Sequence, residues 1–474
     1  MIEILFAGAA CLIAAAMWMP LSIRRRALIT TSALAASAGF VAWSDVGLRW
    51  QHVPVAVAGV IALAVGLLRM RKTPDRTRRV RVGLRCAAIV TTVGCVALAV
   101  LGGAAAWAFR PVLLPTPTGP ASVGTTVMEW IDVDREEPAT AHRADHRTVV
   151  VQIWYPSTTQ TRTNQGARYL APTASAASTT ASGMSASYGF PSFVLNDAAR
   201  ARTSAAEGAP AATRSGGSPV VLFSPGLGGV RTQNTAWAQE LASHGYVVVA
   251  LDHPYDSAAV VLGDGTVLRS RLAATGDEAA DDLAAAEWTA IRAADLQFAL
   301  TQLERLNQRP GNLLHGRLDT SRSVVTGHSL GGGAAIQAAA QDARFRAVVN
   351  IDGFPRYVPA EQLKQPLLAL VAGAGTGSKA GDATYERQLE NVLQLSAAPS
   401  YRLVVPRAGH LSFTDAALFF PPVPSLFGSL SRTHGFETTT ATTLAFLDAT
   451  VGQGAADLVT ELGEYGTLTS YPRQ

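Results

Sequence analysis

A serine between glycines is the residue whose type and surroundings best suit chemistry. In the segment SVVTGHSLGGGAAIQAAA (323–340), an apolar run leads into Gly-His-Ser-Leu-Gly, and a run of small residues follows. A G-x-S-x-G pattern between a strand and a helix is typical of a nucleophile elbow, in which the glycines permit a strained turn that exposes the serine hydroxyl. We therefore predict that Ser329 is a nucleophile. A plain glycine turn is a weaker interpretation, because the motif lies between a predicted strand and a predicted helix. A phosphate-binding loop is also weaker, since neither a Walker lysine nor G-x-G-x-x-G is present.

A serine nucleophile needs a general base, and the chain offers three candidate histidines. His410, in VVPRAGHLSFTD (404–415), follows the last predicted strand, at the carboxyl edge where open α/β sheets build their sites. His328 adjoins the serine, but neighbouring side chains in a sharp turn diverge. His253 follows a predicted strand and is the main competitor. We expect His410 to be the base that reaches the serine hydroxyl.

The base in turn needs a carboxylate that orients the imidazole and balances its charge. Asp352 ends the apolar segment AVVNID, directly after the predicted helix that follows the serine. Asp382 and Glu386 occupy the more widespread acid position of such folds, and Asp415 lies close to the histidine in sequence. We favour Asp352, because residues 373–386 predict no strand end from which a carboxylate would project.

Apolar runs alternate with longer amphipathic stretches, and this alternation predicts the fold that positions these residues. It favours an α/β fold with a mostly parallel sheet flanked by helices. The predicted strands are 219–224, 246–251, 322–326, 346–351, 366–371 and 400–405, preceded by β-rich stretches at 126–133 and 147–155. A long helix is predicted near 278–306, with a stripe at helical spacing that we expect to pack: Leu283, Trp288, Ile291, Leu296 and Leu300.

With these residues placed, the chain resembles the platelet-activating factor acetylhydrolase family of α/β hydrolases, in its plasma and intracellular type. The resemblance is carried by VQIWYPS (151–157), LFSPGLGGVRTQNTAWAQELASHGYVVVALDHPYDSA (222–258), GHSLGGG (327–333), NIDGFP (350–355) and AGHLSFTD (408–415). It implies the α/β-hydrolase fold and a triad of Ser329, Asp352 and His410. It also implies an oxyanion hole formed by the backbone N–H groups of Leu227 and Leu330. The family further includes bacterial esterases and polyester hydrolases.

The first 110 residues differ in composition from the rest. They hold 13 Lys/Arg against three acidic residues, whereas residues 111–474 hold 26 basic and 32 acidic residues. The uncharged runs 4–23, 27–44, 53–68 and 86–109 predict an all-α region of about four transmembrane helices, since a span needs roughly 20 apolar residues. A signal peptide and buried core helices are the alternatives, but a signal peptide would need a basic start, and the chain begins Met-Ile-Glu.

Two basic segments predict the orientation of these helices. Arg24–Arg26 and RMRKTPDRTRRVRVGLR (69–85) belong on the cytoplasmic side by the positive-inside rule. We therefore expect an integral protein of a bacterial cell membrane whose catalytic domain is extracytoplasmic. The predicted organisation is a membrane region (1–110), a proline-rich linker (111–125) and a catalytic domain (126–474). The domain carries a low-complexity insert (157–217), predicted as a partly ordered flap or a disordered segment, whose apolar part SYGFPSFVL (187–195) we expect to pack.

These observations together predict a membrane-anchored serine ester hydrolase. Its expected substrates are carboxylic esters of lipid or phospholipid-like type, with short acyl chains favoured. The alternatives are a cell-envelope acyltransferase with the same triad, a polyester or cutinase-like esterase, and a non-catalytic sensor. We expect no cofactor, no metal and no nucleic-acid partner, and the sequence leaves the oligomeric state open. The three cysteines, Cys11, Cys86 and Cys95, all lie in the apolar N-terminal part, so a cysteine nucleophile is excluded.

Overall fold

The computed structural model describes residues 2–70, 78–161, 165–272, 275, 277–356, 363–375, 379–452, 454 and 457–472. The chain divides into two compact units. The first comprises Met1–Pro111 with Phe419–Pro421, and the second comprises Val112–Leu418 with Pro422–Gln474.

The described residues of the first unit form four helices, α1 (Ile2–Ala16), α2 (Leu21–Val46), α3 (His52–Leu68) and α4 (Arg78–Ala108). Among the described residues, α2 and α4 are long and apolar enough to cross a membrane, and α1 and α3 are shorter apolar helices. Such length and composition are shared by core helices of soluble proteins and by signal sequences.

The helix boundaries correct the predicted first span. The run 4–23 is not one helix, because α1 ends at Ala16 and Pro20 caps the start of α2. Proline suits a helix start, where its missing N–H has no intrahelical partner. Arg24–Arg26 therefore lie in the first turns of α2 rather than in a loop. The second basic segment is also partly helical, since α4 begins at Arg78; residues 71–77 lie outside the described part of the chain.

Polar contacts tie the ends of these helices together. At one end, Arg49 pairs with Glu3 at 2.7 Å and donates from Nη2 to the carbonyl oxygen of Phe109 at 2.6 Å. At the other end, Arg24 donates from Nη1 to the carbonyl oxygen of Arg69 at 3.2 Å. Glu3 lies in the first turn of α1 and Phe109 follows α4, so both termini of the four-helix unit lie at the end opposite Arg24.

In the second unit, the part of the chain that the structure describes forms a ten-stranded sheet in the order β12-β11-β10-β9-β8-β4-β5-β2-β1-β3, with the strand bounds given below. Six neighbouring strands, β11, β10, β9, β8, β4 and β5, pair in parallel, and β2, β1 and β12 add antiparallel neighbours. A short hairpin, β6–β7, is separate. The strands are β1 (Ser122–Glu136), β2 (His146–Ser157), β3 (Ala206–Glu207), β4 (Ser218–Ser224), β5 (Val247–Asp252), β6 (Ala259–Val261), β7 (Val267–Arg269), β8 (Leu318–His328), β9 (Phe345–Ile351), β10 (Leu367–Ala372), β11 (Ser400–Val405) and β12 (Thr467–Tyr471).

Helices cover both faces of this sheet, which confirms the predicted α/β-hydrolase fold. Alternate residues of a buried parallel strand point to opposite faces, so both faces are apolar. On β4, Val220 packs with the layer that contains α8 (Glu278–Gln308) and α9 (Leu330–Gln341), whereas Val221 packs with the layer that contains α7 (Thr235–Ser243) and α13 (His434–Thr450). The helices are α5 (Ala174–Ser187), α6 (Asn196–Arg200), α7 (Thr235–Ser243), α8 (Glu278–Gln308), α9 (Leu330–Gln341), α10 (Lys379–Gln394), α11 (Ala416–Phe419), α12 (Pro424–Phe427), α13 (His434–Thr450) and α14 (Leu458–Gly463).

The long helix α8 packs only along part of its predicted stripe. Leu296 and Leu300 are fully buried against the sheet. Leu283 is 65% exposed and Trp288 is partly buried, so the expectation that the whole stripe packs is wrong.

The predicted linker is shorter than expected. The strand β1 begins at Ser122, inside the segment 111–125. Just before it, the N–H groups of Thr118 and Gly119 donate to Glu240 Oε2 at 2.8 Å and to Ser243 Oγ at 3.0 Å. These bonds fix the second half of the segment to α7.

The low-complexity insert forms helices α5 and α6. Small residues let α5 approach the hairpin closely: a Cβ added to Gly183 would lie 2.5 Å from the Cβ of Ala259. The aromatic residues that we expected to pack, Tyr188, Phe190 and Phe193, keep 37–50% of their surface exposed. The expectation therefore holds for Leu195, which is 3% exposed, and fails for these aromatic residues, which lie largely on the surface.

Candidate active site

Ser329 occupies a strained turn between β8 and α9. Its φ of 56° and ψ of −123° are rare for a residue with a side chain. Both neighbouring glycines are sterically required. A Cβ added to Gly327 would lie 2.2 Å from the backbone of Gly331, and one added to Gly331 would lie 2.1 Å from the carbonyl oxygen of Ser224. The turn thus has the geometry expected of a nucleophile elbow.

Asp352 and His410 form a hydrogen-bonded pair. His410 Nδ1 lies 2.6 Å from Asp352 Oδ2, and Asp352 Oδ1 accepts the N–H of Ala372 at 2.8 Å. The carboxylate is 8% exposed and the imidazole 33% exposed. Because a carboxylate only accepts, Nδ1 carries the proton and Nε2 is left as an acceptor.

The three predicted residues line one cavity. Ser329, Asp352 and His410 share a cavity of about 550 Å³ with the rings of Phe354 and Tyr385. Within the described part of the chain, no protein group hydrogen-bonds the Ser329 hydroxyl. Hydrogen bonds of this kind often tighten only when substrate is present, so the arrangement is compatible with proton transfer from Ser329 to His410.

The two competing histidines are held by other contacts. His253 is fully buried, with Nδ1 2.8 Å from Asp295 Oδ2 and Nε2 2.9 Å from Ser224 Oγ, and burial lowers its pKa. His328 Nε2 lies 2.9 Å from the carbonyl oxygen of His410, and burial lowers the pKa of His328 to about 3. Neither ring has a free nitrogen that could take a proton from the serine.

The competing acids also have other surroundings. Asp415 is buried and accepts the hydroxyl of Tyr169 at 3.2 Å; burial raises the pKa of Asp415 to about 8. Glu386 lines the same cavity as Ser329, but its carboxylate pairs with Arg402 at 3.2 Å, and Arg402 lines that cavity too. The side chain of Asp382 lies outside the described part of the structure.

The glycine loop after β4 (residues 225–228) leaves one backbone donor open. The N–H of Gly226 donates to Gln233 Oε1 at 2.8 Å, and that of Gly228 donates to Asp256 Oδ1 at 3.1 Å. Between them, the N–H of Leu227 has no acceptor among the described residues. A Cβ added to Gly226 would lie 3.4 Å from Ser329 Cβ, so the loop runs beside the serine.

Leu330 supplies a second open donor. It is the first residue of α9, and the first N–H groups of a helix have no intrahelical acceptor. The partial positive charge of the helix N-terminus favours an anion there. The N–H groups of Leu227 and Leu330, both predicted from the resemblance, are thus available to an oxygen that becomes negative.

A second cavity, of about 660 Å³, lies beside the glycine loop. Tyr188 from the insert, Leu227 and Trp288 line it, and Arg356 lines both this cavity and the one that holds Ser329. The partly exposed Trp288 thus faces a cavity rather than the apolar core.

Sequence reasoning missed the groups that hold the glycine loop. Gln233, Asp256 and Arg292 contact its backbone. A lone arginine on a helix resembles a surface residue, so no sequence signal marks Arg292. Among the described residues, no group of three or more His, Cys, Asp or Glu side chains could hold a metal ion.

Comparison with known proteins shows which protein family this chain matches. Residues 107–453 match the family described as "Platelet-activating factor acetylhydrolase, isoform II". The "Probable 1-alkyl-2-acetylglycerophosphocholine esterase" of Arthroderma benhamiae is 29% identical over 208 residues, which cover 42% of this chain and 49% of that protein. "Cutinase 1" of Thermobifida cellulosilytica is 24% identical over 205 residues, which cover 43% of this chain and 62% of that protein. The chain thus spans about half the length of the first relative and less than two thirds of the second.

A solved structure is also similar. The ferulic acid esterase from Streptomyces cinnamoneus superposes with a TM-score of 0.59 at 29% identity. The match covers 73% of this chain and 94% of that one.

Proposed function

Because this chain belongs to the platelet-activating factor acetylhydrolase, isoform II, family, we propose that it is a carboxylic-ester hydrolase with Ser329 as its nucleophile. The proposal gives His410 the role of general base and Asp352 that of the orienting acid. The observation that carries it is the 2.6 Å contact of His410 with Asp352 in the cavity that also holds the strained Ser329.

The reaction runs in two stages. His410 Nε2 takes the hydroxyl proton of Ser329 as Oγ attacks the ester carbonyl carbon. The tetrahedral oxygen takes the negative charge and accepts the N–H groups of Leu227 and Leu330. When the intermediate collapses, the alcohol leaves with the proton from His410, and the acyl group stays on Oγ. Water then attacks the acyl-enzyme as His410 takes its proton, and His410 returns that proton to Ser329 Oγ as the carboxylic acid leaves.

The neutral state of His328 favours this proton transfer. Its ring centroid lies 4.6 Å from that of His410, so a second cation there would oppose imidazolium formation. Because burial lowers the pKa of His328 to about 3, its ring carries no charge near neutral pH. Asp352 is then the charged partner that stabilises His410 when it is protonated.

The proposed substrates are lipid or phospholipid-like esters with short acyl chains, in line with the glycerophosphocholine esterase among the relatives. A polyester or cutinase-like specificity is the second candidate, favoured by the similarity to the Thermobifida cutinase. Cell-envelope acyl transfer would use the same acyl-enzyme, with an alcohol in place of water.

We also propose that the four-helix unit anchors the enzyme in a membrane with the catalytic unit extracytoplasmic. The proposal is supported by the position of the basic segments in the four-helix unit. The segments that contain Arg24 and Arg69 lie at one end of this unit, and the chain leaves the unit at Phe109, at the other end. Basic segments stay cytoplasmic by the positive-inside rule. The helices α1 and α3 have 15 and 17 residues, and the apolar residues 17–19 directly follow α1 and lengthen its apolar stretch.

A substrate panel tests the activity and its class together. The full chain in detergent is assayed on a 1-alkyl-2-acetylglycerophosphocholine, a long-chain phosphatidylcholine, methyl ferulate and a polyester oligomer, with Ser329→Ala as the matched control. We expect the acetyl phospholipid to be cleaved fastest, and only by the wild type. Preference for the polyester would favour the second candidate, and ester cleavage that survives Ser329→Ala would contradict the mechanism. An added alcohol that captures most of the acyl group would indicate a transferase.

A further inference from the structure

A buried arginine donates hydrogen bonds to the backbone of the glycine loop. Arg292 lies on α8, and its side chain is fully buried. Its Nη2 donates to the carbonyl oxygen of Gly226 at 3.0 Å. Its Nη1 donates to the carbonyl oxygen of Pro225 and to Ser224 Oγ, the latter at 3.2 Å. One guanidinium therefore holds two consecutive carbonyl groups of the loop.

Asp256 completes this arrangement. Its Oδ2 accepts Arg292 Nε at 2.5 Å, and its Oδ1 accepts Arg292 Nη2 at 2.6 Å. The same Oδ1 accepts the N–H of Gly228 at 3.1 Å. Five contacts thus engage a guanidinium that has five N–H donors. A buried ion pair satisfied in this way fixes a single geometry for the groups it touches.

The peptide between Gly226 and Leu227 links the hydrogen bonds of Arg292 to the direction of the Leu227 N–H group. A peptide unit is planar and trans, so its C=O and N–H bonds point in opposite directions. Because the Gly226 carbonyl points at Arg292, the N–H of Leu227 must point away from the guanidinium. Hydrogen bonds to the carbonyl also polarise the peptide, which strengthens its N–H as a donor.

We propose that Arg292, held by Asp256, is a positioning residue of the oxyanion hole: it fixes the Gly226–Leu227 peptide so that the Leu227 N–H is aligned before the ester binds. The inference rests on the proposed function. Lysine cannot take this role, because an ammonium is a point donor without the planar fork that spans two carbonyls and a carboxylate.

Arg147 provides a matched control. It is equally buried, at 1% exposure, and it pairs with Asp295 at 2.7 Å and with Glu137 at 2.8 Å. Its carbonyl partner is Pro254, at 3.0 Å. Arg147→Lys therefore disrupts a buried arginine network without removing a hydrogen bond to the loop 225–228.

The experiment compares the full chain in detergent as wild type, Arg292→Lys, Asp256→Asn and Arg147→Lys. It measures kcat and KM for p-nitrophenyl acetate, inhibition by an alkyl trifluoromethyl ketone, and the thermal midpoint. The ketone forms a hemiketal with a serine nucleophile, and its oxyanion occupies the hole. For Arg292→Lys we expect kcat to fall about 10- to 100-fold, the Ki of the ketone to rise in parallel and KM to stay within about threefold. Arg147→Lys should lower the thermal midpoint by a similar amount and leave kcat and Ki within about threefold.

Two results would overturn the inference. One is a folded Arg292→Lys variant with the kcat and Ki of the wild type. The other is an equal loss of kcat and Ki in Arg147→Lys, which would assign both arginines a general structural role. If Arg292→Lys does not fold, Asp256→Asn decides: weaker ketone binding at unchanged KM supports the inference, and unchanged Ki overturns it. A wild type without Ser329-dependent hydrolysis would instead overturn the proposed function.

Discussion

His328 Nε2 lies 2.9 Å from the backbone carbonyl oxygen of His410. A carbonyl only accepts, so this nitrogen carries the proton, and Nδ1 accepts the amide of Gln233 at 2.8 Å. The neighbour of the proposed nucleophile thus supports the loop that carries the proposed base, and Gln233 links both to the glycine loop through Gly226.

Replacing His328 tests this link. His328→Phe keeps a planar ring but leaves the Gln233 amide and the His410 carbonyl without a partner, which should cost about 1–3 kcal/mol of stability. We expect kcat to fall about tenfold through displacement of His410. The acid limb of the kcat/KM profile should keep its midpoint, because the pKa of His328, about 3, lies below the assay range. A shifted acid limb would show that His328 ionises during turnover.

Substitution of each candidate carboxylate by its amide identifies the residue that orients the catalytic histidine. Asp352→Asn should fold normally and lose about 10³- to 10⁴-fold in kcat, because the imidazole loses its orienting carboxylate. Glu386→Gln, which removes the alternative acid of the same cavity and breaks its exposed ion pair with Arg402, is the control and should stay close to wild type. The reverse pattern in p-nitrophenyl ester assays would move the acid to the segment after β10.

Asp415 should make the stability of the protein depend on pH. Burial raises the pKa of its carboxyl to about 8, whereas the unfolded value is near 3.8. The folded state therefore binds a proton more tightly, so this contribution is complete below about pH 4 and is lost as the pH rises toward 8. The slope reaches at most about 1.4 kcal/mol per pH unit.

Thermal unfolding at pH 5 and pH 8 measures this contribution. In Asp415→Asn, whose amide resembles the protonated acid, the midpoint should change less between the two pH values than in the wild type. Asp134→Asn, at an exposed carboxylate, is the control. An equal pH dependence in wild type and Asp415→Asn would show that this carboxyl does not carry the effect.

Much of the reaction centre could be predicted because its signals are local. The elbow at Ser329 needs only a strand, two glycines and a helix in sequence, and the carboxyl ends of parallel strands meet at one edge. That edge brings Asp352 to His410, which lies 58 positions further along the chain. The packed strands were predicted for the same reason, since continuous apolar runs mark strands buried on both faces.

The unpredicted features depend on partners that are distant in sequence. Arg292 and Asp256 are 36 residues apart, and Arg147 and Asp295 are 148 apart. No short pattern pairs them. The helix α5 was missed for another reason: its Ala, Ser, Thr and Gly residues suit close packing against the β6 hairpin, yet the same composition is typical of disordered segments.

Fusion reporters test the proposed membrane orientation. Alkaline phosphatase fused after Arg110 should be active, because it would lie outside the membrane, and a fusion after Met70 should be inactive. Protease added to spheroplasts should remove the catalytic unit. Active phosphatase after Met70 together with inactive phosphatase after Arg110 would reverse the orientation and place the enzyme on the cytoplasmic side.

The most direct test of the central proposal is covalent labelling of the full chain with a fluorophosphonate, followed by mass mapping of the modified peptide. We predict one adduct, on Ser329, whose formation abolishes ester hydrolysis and which is absent from Ser329→Ala. An unlabelled wild type that still hydrolyses esters, or an adduct on another serine that accompanies the loss of activity, would contradict the assignment of Ser329 as the nucleophile.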